Sequence, residues 1–488
     1  MTEEQGAGQE ATPYADALRA FAARGLVRHT TPGHQADLDA HPGLVALLGP
    51  AALELDVQPT VEGIDASADD PLARSVELAA QAWGSRRTWF LSNGSSQGNQ
   101  TACLALAGLG GTIVAQRSVH SSVVDGLVLS GLVAEFVAPN VDHGLGIAHG
   151  VTAEALDERL RAHPGAVAAF VVSPSYFGAV ADIAALAEVA HAHDAALVVD
   201  EAWGAHLGFH PDLPVNAVRL GADLVVASMH KMGGSLGQTA LLHLGHGPHA
   251  ARLEPLVERA FRAIESTSVS SLLLASLDLA RRELAVDDAG RIAASLDSAA
   301  RLRARIAADG RFRDATDRIL ASPDVLAHDP FHVVIETGVG GIGGHEARAL
   351  LADGLGHHVE MATDEVVVAL VGAGTVVDAD RLADALLALP VRERDERGHV
   401  ALPAPGRRVL SVRDAWFSPS EVVPAAAAVG RVSADSVAAY PPGIPNLMPG
   451  EEITAETLEF LRQTASAPSG HVRGAVVEDV SLVRVVAG

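Results

Sequence analysis

Lysine occurs once in this chain, at position 231, among 35 Lys and Arg side chains. Arginine supplies positive charge everywhere else, so Lys231 marks a place where a guanidinium does not serve. A guanidinium stays protonated and attacks poorly, whereas a partly desolvated amine loses its proton and adds to a carbonyl. Lys231 is therefore the candidate Schiff-base residue. It follows the apolar run DLVVAS (223–228), and GGSLG after it supplies turn residues that let backbone approach a ligand. Asp200 ends another apolar run, VVD, where a carboxylate is costly unless it meets a cation or hydrogen bonds. A helix cap uses the same residue type, so Asp200 gains meaning beside Lys231. Ser95 and Ser96 follow Gly94 at a loop-to-helix transition, where free N–H groups and the helix dipole suit a phosphate. An ordinary N-cap explains that motif alone equally well. His120, placed at the end of the strand leading into RSVHSS, offers a flat imidazole.

An amine, a strand-end acid, a phosphate cradle and a flat ring are together the set that pyridoxal 5'-phosphate needs. Its aldehyde bonds lysine, its ring nitrogen needs a carboxylate, its phosphate needs donors, and its ring needs a face to stack on. A nicotinamide site would want GxGxxG after the first strand, and none stands in that context.

These residues must be carried by several strand ends. From about 86 to 245, short apolar runs alternate with Ala/Leu-rich segments, the pattern of a mostly parallel sheet covered by helices. The predicted strands are TWFL (88–91), TIVAQ (112–116), AAFVV (168–172), AALVV (195–199) and DLVVAS (223–228), with a helix over 183–194. Each strand runs into a polar or glycine-rich segment, and such segments collect at the carboxyl edge of an open α/β sheet. The pattern predicts an N-terminal arm (1–30), a major domain (31–290), a small α+β domain (291–390), a linker (391–408) and a C-terminal domain (409–488).

Composition narrows the function. With 488 residues and 48% hydrophobic content, the chain supports several cores, filled by Ala, Val and Leu because aromatics are 4%. A net charge of −25 disfavours nucleic acid and anionic membrane as partners. One cysteine, Cys103 in TACLALAGL, excludes an internal disulfide and reads as a packed thiol. The 22 histidines show no HExxH-like grouping, so no metal is expected. An acidic start without a basic, then apolar, leader predicts a soluble cytoplasmic protein.

The motifs also carry a resemblance. HTTPGH (29–34), SNGSSQGNQ (92–100), RSVHSSV (117–123), SPSYFGAVADI (173–183), VVDEAWGAHLGFHPDLP (198–214), GADLVVASMHK (221–231), LLASLDLAR (273–281) and YPPGIPNLMPGEEI (440–453) resemble the Orn/Lys/Arg decarboxylases in order along the chain. That resemblance implies an α/β fold of the aspartate aminotransferase type (fold type I), with a mostly parallel seven-stranded sheet and smaller α+β domains. It implies pyridoxal phosphate as cofactor and conversion of arginine, lysine or ornithine to its amine and carbon dioxide. Lys231 would form the internal aldimine, Asp200 would pair with the pyridinium and His120 would stack on the ring. Ser95, Ser96, Ser228 and His230 would hold the phosphate, with Trp203 near the ring. A homodimer or larger homo-oligomer is implied, with the site at the subunit interface, where Thr267 and Ser268 reach the partner's phosphate. The chain departs from the family pattern at MGGSLGQ after Lys231, SVSS after Thr267, PGHQ (32–35) and DVQPTVEGID (56–65). These departures fall where substrate is recognised. An aminotransferase or lyase on a related amino acid is the alternative; an aminotransferase would need an arginine for the substrate carboxylate, and Arg413 is the candidate.

Overall fold

The computed structural model describes residues 8–58, 70–392, 402–440 and 443–488. Its centre is a seven-stranded sheet made of β1 (Arg87–Leu91), β2 (Thr112–Gln116), β3 (Val133–Val137), β4 (Ala166–Val172), β5 (Ala196–Asp200), β6 (Leu224–Ala227) and β7 (Ala240–Leu244). The order is β1-β7-β6-β5-β4-β2-β3. Strands β2 to β6 pair in parallel, and β7 runs antiparallel to both its neighbours.

Alternate residues of each strand enter separate cores. Ile113, Ala168, Phe170, Val198 and Val226 pack with Cys103, Val123 and Leu253. Val114, Ala169, Val171, Leu197 and Val225 pack with Leu186 and Ala190 on the other face. Burial on both faces explains why the parallel strands read as unbroken apolar runs. Helices α1 (Gly94–Leu106) and α2 (Ser121–Ser130) lie against the first face. A Cβ on Gly98 would stand 2.6 Å from Val226 Cγ1 and 3.0 Å from Leu91 Cδ1, so α1 sits directly on the sheet.

A second, antiparallel sheet holds β8 (Arg313–Asp314), β9 (His332–Glu336), β10 (Met361–Ala362) and β11 (Val366–Leu370), in the order β8-β9-β11-β10. The helices Arg291–Asp309, Gly344–Asp353 and Ala379–Leu387 pack in the same core. Ala327–His328 pairs with Ala179–Val180, tying this sheet to the segment after β4. Residues 271–309 form two helices, Ser271–Val286 and Arg291–Asp309, separated by a turn at Asp287 and Gly290.

The last residues form a unit with its own core of Leu447, Leu458, Leu461 and Val483. A buried bidentate ion pair fastens it to the end of β2. Arg117 Nε and Nη2 donate to Glu451 Oε1 and Oε2 at 2.9 and 2.7 Å, and Nη1 donates to the Pro445 carbonyl at 2.7 Å. Half of the linker expected over 391–408, the family-like acidic segment after Gln58, and Pro441 and Pro442 of YPPGIP lie outside the described residues.

Candidate active site

The parallel strands deliver their ends to one edge. Lys231 sits in the short helix α3 (Met229–Met232), directly after β6, with Ser228 as N-cap. Asp200 is the last residue of β5, which neighbours β6. The Lys231 ammonium lies over the Trp203 ring, 4.0 Å from its centroid. Burial lowers the Lys231 amine to about 8, while Asp200 and Glu360 act to hold its proton. Near neutral pH the amine thus keeps a useful neutral fraction.

Asp200 is buried, and burial pushes its carboxyl up; Lys231 and the hydrogen bonds from Asn99 and Ala202 oppose that. Asn99, from α1, spends both protons of its Nδ2: one on Asp200 Oδ2 at 2.8 Å, the other on Ser122 Oγ at 2.9 Å. Ser122 Oγ lies 2.8 Å from His120 Nδ1, which also accepts from the Ser122 N–H at 3.2 Å. Nδ1 is thereby an acceptor and Nε2 carries the ring proton. Burial first, then the charges of Lys231 and Arg473, push His120 down to about 3. The imidazole is neutral at physiological pH. A single hydrogen-bond chain thus joins the acid to the flat ring.

His120 does not end a strand. Strand β2 stops at Gln116, and His120 is the N-cap of α2, its Nδ1 taking a first-turn N–H. Gly443 of the C-terminal unit covers it: a Cβ there would lie 3.5 Å from His120 Cδ2.

Ser95 and Ser96 occupy the first turn of α1. Gly94 takes φ +68, and its N–H is committed to the Gln238 carbonyl at 2.7 Å. The Ser95 hydroxyl is buried without a hydrogen-bond partner. An orphaned hydroxyl beside first-turn N–H groups is the donor set a phosphate requires, so these residues fit pyridoxal phosphate. Ser228 Oγ stands 3.2 Å from His230 Nδ1, which donates to the Thr239 carbonyl at 3.0 Å. Burial pushes His230 down.

Lys231, Asp200, Trp203, His120, Ser228 and His230 therefore belong to one neighbourhood, with Ser95 and Ser96 at the adjoining helix start. Thr267 and Ser268 are not drawn into it within one chain. They are exposed on the loop after the helix Ala250–Ile264, where Ser266 Oγ accepts the Ser268 N–H at 3.2 Å. Arg413 is also elsewhere: its guanidinium donates to the Val128 and Leu129 carbonyls at the end of α2 and lies over Phe417. Orphan carbonyls and the negative helix end account for a cation there.

Sequence reasoning passed over Asn99, Ser122, Tyr176 and Glu360. Asn99 follows Ser95 and Ser96 by four and three residues, the spacing that places side chains on one helix face. Tyr176, in the SPSYFG stretch, meets Trp203 edge-on at 6.1 Å. Glu360 arrives from the second sheet, just before β10.

The family model described as Orn/Lys/Arg decarboxylase, major domain, matches residues 12–339, and that of the C-terminal domain matches 412–469. The chain belongs to the Orn/Lys/Arg decarboxylase family. Within it, the arginine decarboxylase of Bacillus subtilis (strain 168) is 33% identical over 98% of both chains. The crystal structure of the Francisella novicida lysine decarboxylase LdcF superposes with a TM-score of 0.81 at 19% identity, over 98% of this chain and 81% of that one. A structure titled SPT with PLP internal aldimine superposes over 72% of this chain and 82% of its own, at 20% identity and a TM-score of 0.51. The Orn/Lys/Arg decarboxylase fold here is thus the α/β fold of pyridoxal-phosphate enzymes. The protein is a pyridoxal-phosphate-dependent decarboxylase of a basic amino acid. Among the described residues, no helix is long and apolar enough to cross a membrane, and no cluster of three His, Cys, Asp or Glu side chains could hold a metal.

Proposed function

We propose that the substrate is arginine and the product agmatine. The observation that carries this is Glu360, whose carboxylate acts electrostatically on both Lys231 and His230. No ion pair among the described residues neutralises it, which leaves an anion for a cationic substrate side chain. The full-length relative from Bacillus subtilis bears the name arginine decarboxylase and supports the choice of guanidinium over ammonium.

Bound pyridoxal phosphate supplies a carbonyl for amine capture and a ring that takes up the electron pair left by departing carbon dioxide. Lys231 would hold the cofactor and, once its amine is free and protonated, would return a proton to the substrate α-carbon. Asp200 would keep a proton on the ring nitrogen, with the hydrogen bond from Asn99 favouring the carboxylate that this needs. His120 presents a neutral face to the ring. Ser95, Ser96, Ser228 and His230 hold the phosphate, and Trp203 walls the amine.

The catalytic assembly we propose is a homodimer with the site at the subunit interface. Supporting this are the exposed Thr267 and Ser268, close in sequence to Glu265, which accepts from Ser92 and Gln97 beside the start of α1. Exposed Leu47, Leu48 and Leu236 offer apolar surface for such an interface. The domain division is that of the sequence: 1–30, 31–290, 291–390, 391–408 and 409–488. A cytoplasmic location is supported by a single cysteine that is buried.

Incubating the purified enzyme separately with arginine, lysine and ornithine tests the substrate. Agmatine and carbon dioxide should appear fastest from arginine, and Glu360→Gln should raise KM about tenfold, as loss of a charged hydrogen bond does. Faster cadaverine or putrescine formation refutes arginine. Borohydride reduction should fix the cofactor on Lys231, as read by peptide mass.

A further inference from the structure

Trp203 is held in an unusual way. Its indole N–H is buried and has no hydrogen-bond acceptor. Its ring is fixed by edge contacts instead: Tyr176 at 6.1 Å and 62°, and His332 at 5.6 Å and 74°. The ring face receives Lys231 Nζ. Whatever fixes His332 therefore fixes the surface under the reactive amine.

His332 begins β9, in the second sheet, and is wholly buried. Its Nδ1 meets Asp329 Oδ2 at 2.8 Å. The other carboxylate oxygen, Oδ1, meets His206 Nε2 at 3.0 Å and accepts the Phe331 N–H at 3.1 Å. His206 comes from the loop after β5, only three residues beyond Trp203. All three side chains have no solvent exposure, so the carboxylate depends on these donors. The backbone around them is braced as well. Asp329 N–H donates to the Gly178 carbonyl at 2.8 Å, and Arg303 Nη2 donates to the His332 carbonyl at 2.8 Å. His328 Nε2 donates to the Phe177 carbonyl at 3.0 Å. Gly178 admits this approach: a Cβ there would stand 2.7 Å from His332 Cβ.

We propose that the buried His206–Asp329–His332 array is a positioning device that aims the face of Trp203 at Lys231 across the seam between the two sheets. None of the three touches the amine. They act through the indole, and the ring's quadrupole then favours the protonated amine. The proposal takes Lys231 as the cofactor-holding residue, and its failure would leave the borohydride assignment of Lys231 untouched.

The solitary lysine makes a direct test available. The cofactor-free chain is treated with trinitrobenzenesulfonate across pH 6 to 10, and labelling of the Lys231 peptide is followed by mass spectrometry. The groups facing the amine are Asp200, Glu360, His120 and His230, and no variant used alters them. In the wild type the labelling midpoint should lie near 8. His332→Leu should lower it by about one pH unit, because a displaced indole withdraws its stabilisation of the ammonium. The shift should disappear when His332→Leu is made in a Trp203→Leu background, as coupled sites are non-additive. Should His332→Leu not fold by circular dichroism, Asp329→Asn carries the same comparison. A midpoint that rises, stays put, or moves equally in both backgrounds overturns the proposal.

Discussion

Replacing Asn99 by leucine, close in size, should uncouple the acid from the stacking ring. Two hydrogen bonds are lost, at 2.8 Å to Asp200 Oδ2 and at 2.9 Å to Ser122 Oγ. The first is to a buried carboxylate, and a hydrogen bond to a charged group contributes about 1.5–3 kcal/mol. At 1.36 kcal/mol per pKa unit, its removal should move the Asp200 titration up by about 1–2 units. Burial already raises that carboxyl, so the two effects act in the same direction. The ionised form, which pairs with the cofactor ring, would then be lost at higher pH. The acid limb of kcat/KM should therefore shift upward by about 1–2 pH units. Cofactor affinity at pH 7, read by absorbance titration, should fall about 10- to 100-fold by the same energy. Circular dichroism and urea unfolding serve as fold controls. An unchanged acid limb and unchanged cofactor affinity in a folded Asn99→Leu protein, with Asp200→Ala inactive, would refute the proposed link.

Two further outcomes follow from packing and burial. Gly98→Ala should cost about 1–3 kcal/mol in urea unfolding, since its methyl would stand 2.6 Å from Val226 Cγ1 and α1 has no room to lift; wild-type stability would mean the helix rides higher on the sheet. His243 is buried, its Nδ1 is 2.8 Å from Thr88 Oγ1, and burial pushes it down to about 3. As pH falls below about 6.5, the unfolded chain takes up this proton and the folded chain does not, so stability is lost at about 1.4 kcal/mol per pH unit. Buried Glu201 and Asp200, both pushed up, favour the fold as pH falls, so the comparison is with His243→Gln. Wild type should lose about 2 kcal/mol relative to that variant between pH 6.5 and 5, and parallel curves would exclude the assignment.

The parts of the site that a sequence makes visible are those delivered by single strands. Lys231 and Asp200 stand at the ends of runs buried on both faces, so apolar composition alone located them. The same logic failed for β3, whose edge position leaves three of its five side chains partly exposed, and for β7, whose antiparallel run carries His243 inside it. Asn99 and Ser122 escaped because a polar side chain in a helix's first turns reads as capping. Glu360 and the Asp329–His332 pair are supplied by the second sheet, and Asp329 lies 123 residues from His206. No local pattern signals which distant segment will close over a strand end. Thr267 and Ser268 are a different case: their proposed role needs a second subunit, and one chain leaves them in solvent.

Arg117 and Glu451 lie 334 residues apart, yet their bond, together with Gly443 above His120, roofs the cofactor end of β2. Synthesis must therefore run past Glu451 before that roof exists. A nascent chain stalled before Gly443 would hold Lys231, Asp200 and His120 with one wall of the site missing. A truncation before Gly443 should therefore weaken cofactor retention while leaving Lys231, Asp200 and His120 themselves unaltered.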